Sequence, residues 1–125
     1  MGTVDVLFNN EPIQLESAKV LKLNKALGPK RSQIIVTNAM EDVAMRMSHS
    51  EALFQQGDWE GLGKAVRTIG KISGQIGMRS LSAVCDAASI ALQNGDAPAI
   101  AATYARLLRV GDQSLSELCE HRDFP

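Results

Sequence analysis

The chain has 125 residues, enough to bury one core and too few to divide comfortably into two. Thirteen basic against fourteen acidic side chains leave a net charge of −1, which excludes a global field drawing the molecule to nucleic acid or membrane. A hydrophobic fraction of 45% with only 4% aromatics excludes general disorder and leaves Leu, Ile, Val, Met and Ala to build a helical core.

In chain order, residues 1–15 alternate apolar positions (Val4, Val6, Phe8) with Asn9, Asn10 and Pro12, and are read as an extended arm. No charged stretch leads into an apolar run there, and no apolar run approaches the ~18 residues of a membrane span, so a cytoplasmic chain is expected. Residues 16–27 carry Val, Leu and Ala at helical spacing and predict a short first helix stopped by Gly28-Pro29. Ser32 is the expected N-cap of a long second helix with the stripe Val36, Met40, Val43, Met47, Ser50 and Phe54, ended by Gly57. Asp58 is expected to cap a third helix to about residue 76, burying Leu62, Ala65, Ile69, Ile72 and Ile76, and Gly77 closes it. The fourth, over residues 80–94, buries Leu81, Val84, Cys85, Ala88 and Leu92 before Gly95-Asp96 repeats the stop-and-cap pair. Pro98 falls in the first turn of the fifth, whose buried positions are Ile100, Tyr104, Leu107, Leu108, Leu115 and Leu118. The closing CEHRDFP is expected to fray.

Connections of two to four residues cannot cross a bundle, so successive helices must run antiparallel. The expected fold is all-α, an up-down-up-down four-helix bundle with a short additional N-terminal helix. Arm and short helix occupy residues 1–31, the bundle 32–119 and the tail 120–125. Cys85 and Cys119 lack metal-like spacing and are read as buried, reduced thiols, and two histidines make a zinc site improbable. No phosphate loop, di-metal motif or nucleophile grouping is visible, so neither a cofactor nor a metal is expected.

The third helix carries Gly63, Gly70 and Gly74 in its interior, where each glycine costs about 1 kcal/mol relative to Ala. At about 100° per residue from Gly63, Gly74 falls near +20°, Gly70 near −20° and Arg67 near +40°, with Lys71 and Lys64 near +80° and +100°. The apolar stripe centres near −120° on the same wheel, so the glycines are expected to form a bare, cationic, solvent-facing groove around Arg67. Two readings are open. The glycines admit a neighbouring helix or a second subunit, beside an ordinary solvated face. Alternatively, and preferred, a partner domain docks flat on the strip and its acidic groups meet Lys64, Arg67 and Lys71. Three cations without stacking aromatics are a poor nucleic-acid footprint.

The run AVRTIGKISGQIGMRSLSAVCDAASIALQNGD, residues 65–96, resembles the core of histidine-containing phosphotransfer domains. That family reads His-x-Leu-Lys-Gly-Ser, a Gly ten residues after the His, then an apolar residue, a Cys, Ala or Leu, and a closing Gly-Asp. Ile69, Gly77, Leu81, Cys85 and Gly95-Asp96 take the corresponding places, and Gly57-Asp58-Trp59 followed by Leu62 matches the family's entry to this helix. The resemblance spans roughly residues 33–118, more by spacing than identity. It places the phosphorylated histidine at Arg67, and the Lys-Gly pair is reversed as Gly70-Lys71. What it implies is a phosphorelay protein that docks to a response-regulator receiver domain or a histidine kinase through Gly63, Lys64, Arg67, Gly70, Lys71 and Gly74 without carrying phosphoryl. Such a protein is not an enzyme, and a monomer is favoured. His49 and His121 lie outside the motif and are read as surface residues, with His49 the one remaining route to residual transfer. The rival reading is a structural bundle using the glycine groove as a dimer seam.

Overall fold

The computed structural model describes residues 12–122. Within them are helices α1 (Ser17–Leu27), α2 (Pro29–Gln56), α3 (Trp59–Gln75), α4 (Arg79–Asn94) and α5 (Ala97–Arg122). α2 packs on α3, α3 on α4, α4 on α5, and α5 returns to α2, closing a four-helix bundle to which α1 adds alongside α2. Most of the expected arm lies outside the described residues. α5 outlasts the expected fray point, running through Arg122.

Local chemistry explains the boundaries. Gly57 takes the left-handed conformation (φ 71°) and its N–H reaches Phe54 O, while Asp58 N–H reaches back to Leu53 O, a Schellman-type stop. Asp58 then caps α3, its Oδ1 accepting from Gly61 N at 2.9 Å. Asp58→Ala should therefore lower stability by about 1 kcal/mol, read as a shifted urea midpoint with unchanged slope. One boundary differs from expectation: Ser32 is not a cap but a fully buried interior residue of α2. Pro29, with φ preset and no N–H to lose, opens α2, and Gly28 at φ 85° makes the whole turn from α1.

The core joins Val36, Met40, Val43 and Met47 of α2 to Leu62, Val66 and Ile69 of α3, Leu81, Val84 and Ala88 of α4, and Tyr104, Leu107 and Val110 of α5. Its polar tie is internal: Ser50 Oγ donates to Met47 O at 2.6 Å, which leaves Tyr104 O–H as donor in the 2.6 Å Ser50–Tyr104 bond. Phe54 stacks on Tyr104, with ring centroids 4.7 Å apart. At the other end, residues ahead of α1 strap the α3–α4 turn. Leu15 and Met78 form an antiparallel bridge, and Glu16 N donates to Gly77 O at 2.7 Å. Gly77 is required twice over, by φ 84° and because a Cβ would strike the Glu16 carbonyl.

Candidate functional site

The glycine-bearing α3 does not face as the apolar stripe implies. Its buried residues are Leu62, Gly63, Val66, Ile69, Gly70 and Ser73. On the same wheel they centre near −70°, a rotation of about 50° toward the glycines. Gly70 lies against α4: a Cβ there would sit 2.9 Å from Cys85 Cβ. Gly74 faces the same neighbour, where a Cβ would stand 3.4 Å from Ser82 Oγ. These two glycines thus let α3 and α4 approach closely within one molecule, which corrects the expectation of an open, solvent-facing glycine groove. Gly63 is buried too; a Cβ on it would meet Arg67 Nη1 at 3.2 Å, so the arginine lies back over the bare backbone.

A groove containing Arg67 does exist, with a second helix as its other wall. Arg67, Gly70 and Lys71 of α3 face Ser82, Cys85, Asp86 and Ser89 of α4 across a cleft of about 280 Å³. Of the expected docking residues, the fold brings Arg67, Gly70 and Lys71 together there, Gly70 only as floor. Gly63, Gly74 and Lys64 do not line it. Lys64 instead leans on Glu60 at 3.9 Å, an exposed i,i+4 pair of small energetic weight. Arg67 and Lys71 are exposed, and neither has an acidic side chain within ion-pair distance among the described residues.

Ser82, Asp86 and Ser89 escape a reading centred on α3. Their signal is the i, i+4, i+7 spacing of polar residues on the side of α4 away from Leu81, Val84 and Ala88.

Cys85 forms part of the cleft floor, yet it is buried, and burial, aided by the Asp86 carboxylate, pushes its thiol from 9.0 up to about 12. The folded state thus holds this proton more tightly than the unfolded chain. The stability it contributes is complete below pH 9 and disappears as pH rises through about 12. Cys119, expected to be buried, is exposed on α5. A thiol-specific disulfide reagent at pH 8 should consequently titrate one thiol in the native protein and two after denaturation, and Cys119→Ser should abolish the native reaction.

His49 is exposed on α2, which contributes nothing to the cleft, and the His121 side chain lies outside the described residues. A larger cavity of about 740 Å³ lies between the strap, α1, α2 and the end of α5. Its walls are mainly aliphatic, among them Leu15, Val20, Val36 and Leu118, and it holds no cation or nucleophilic thiol. The smaller cleft, where unpaired charges converge, is the better candidate. No helix among the described residues is long and apolar enough to cross a membrane.

No family model matches the chain, and no curated protein matches it. Among solved structures, it is similar to the crystal structure of histidine-containing phosphotransfer protein B (HptB) from Pseudomonas aeruginosa PAO1, with a TM-score of 0.79 at 16% identity. The match covers 86% of this chain and 93% of that one. The chain has a histidine-phosphotransfer fold. In that phosphotransfer-like bundle α3 carries no histidine, and Arg67 and Lys71 are its long side chains at the cleft.

Proposed function

We propose that the chain is a phosphorelay docking protein. It binds the receiver domain of a response regulator, or the phosphotransfer machinery of a histidine kinase, at the α3–α4 cleft and carries no phosphoryl itself. The reading rests on one observation: Arg67 is exposed and unpaired at the cleft, in the place that the resemblance assigns to the phosphoacceptor histidine. Phosphoryl transfer from an aspartyl phosphate needs a nitrogen lone pair to attack phosphorus. A guanidinium stays protonated and only donates, so Arg67 can grip carboxylates or a phosphoaspartate but cannot accept the group. The protein then acts as an adaptor or competitor, occupying a surface through which phosphoryl would otherwise pass.

Its test is a calorimetric titration of the full chain against receiver domains and histidine kinases of its own cell, paired with incubation with phosphorylated receivers. Binding without uptake of acid-labile phosphate is expected. Uptake abolished by His49→Ala would transfer the role to His49, and absence of binding to every receiver and kinase would sink the proposal.

A further inference from the structure

The cleft holds charge of both signs, none of it neutralised. Arg67 and Lys71 rise from α3, Asp86 faces them from α4, and no pair among the three comes within ion-pair distance. Asp86 is exposed and makes no ion pair with any described residue. A site meant simply to hold an anion gains nothing from this carboxylate, which repels the anion the two cations attract. The arrangement instead complements a surface carrying an acidic group beside a basic one. Opposite charges then meet on both walls, and the reversed orientation is penalised by like-charge contacts.

Taking the docking reading as its basis, we infer that Asp86 is a specificity-determining residue. It receives a basic side chain of the receiver domain lying beside the acidic group that Arg67 meets, and it sets the register in which the two surfaces align. Ser82 and Ser89, on the same wall, supply neutral hydrogen-bonding groups on either side of it along α4. Asp86 also works against unwanted partners. Two cations alone would attract any phosphate, whereas the facing carboxylate weakens binding of an anion that brings no cation with it.

Two probes separate these effects, a receiver domain that binds the wild type and inorganic phosphate. Asp86→Asn, an exposed and nearly isosteric change, should weaken receiver binding about tenfold and strengthen phosphate binding several-fold, with Asp86→Lys going further in both directions and Asp86→Glu restoring most of the receiver affinity. Receiver binding that is unchanged or tighter in Asp86→Asn would overturn the assignment, since the carboxylate would then only repel. If neither a receiver nor a histidine kinase binds the wild type, the docking reading fails and this role fails with it, whereas binding to a kinase alone overturns this role and leaves the docking reading standing. Failure of the Asp86 role alone appears as intact wild-type binding indifferent to the substitution.

Discussion

Gly70→Leu should destabilise the protein by about 2–3 kcal/mol and leave a monomer a monomer. At Gly70 even a Cβ would lie 2.9 Å from Cys85 Cβ, closer than real side chains pack, so a leucine there must push α3 and α4 apart. The gain in helix propensity over Gly, about 1 kcal/mol, does not offset that overlap. Urea unfolding reads the loss, and sedimentation separates it from the dimer-seam alternative, in which the same change would dissociate a dimer. Gly74→Ala is the contrasting variant. Its Cβ would meet Ser82 Oγ at an ordinary 3.4 Å, so the substitution should be neutral or stabilise by up to about 1 kcal/mol.

Arg67→Ala should reduce receiver affinity by one to two decades while shifting stability by less than about 0.5 kcal/mol. The two effects separate because Arg67 is exposed and its guanidinium has no acidic partner within the described fold. A charged hydrogen bond to carboxylate or phosphate contributes about 1.5–3 kcal/mol, and the arginine fork can make two. Arg67→Lys should recover only part of the affinity, since an ammonium keeps the charge but not the fork. Unchanged binding in Arg67→Ala would remove this residue from the interface. A large loss of stability would mean that its stem packing over Gly63 matters more than its charge.

The α2 stripe is readable in advance because its members from Val36 to Met47 are large and apolar, and a side chain of that kind has one low-energy place to go. The caps at Asp58 and Asp96 are readable for a comparable reason, since each is a local exchange between a carboxylate and the first turn of its helix. On α3 the same method misses by about 50° of rotation. Gly63, Gly70 and Ser73 have no weight in a hydrophobic pattern, yet their smallness places them on the buried face. Ser32 misleads in another way: a good capping residue is overruled three positions upstream by a proline suited to open a helix. Cys119 occupies an apolar-looking position that is exposed on α5.

Sequence by itself determined that this is a short chain of helices punctuated by Gly and Asp, folded antiparallel because its connections are short, with Arg67 where a related pattern carries histidine. Those features depend on residues near one another along the chain. Only the tertiary structure decided that Gly70 and Gly74 serve the α3–α4 contact, and that the cationic strip is one wall of a cleft whose other wall carries Asp86. Which faces of two helices meet depends on shape complementarity between side chains distant in sequence, and no periodicity within either helix encodes it.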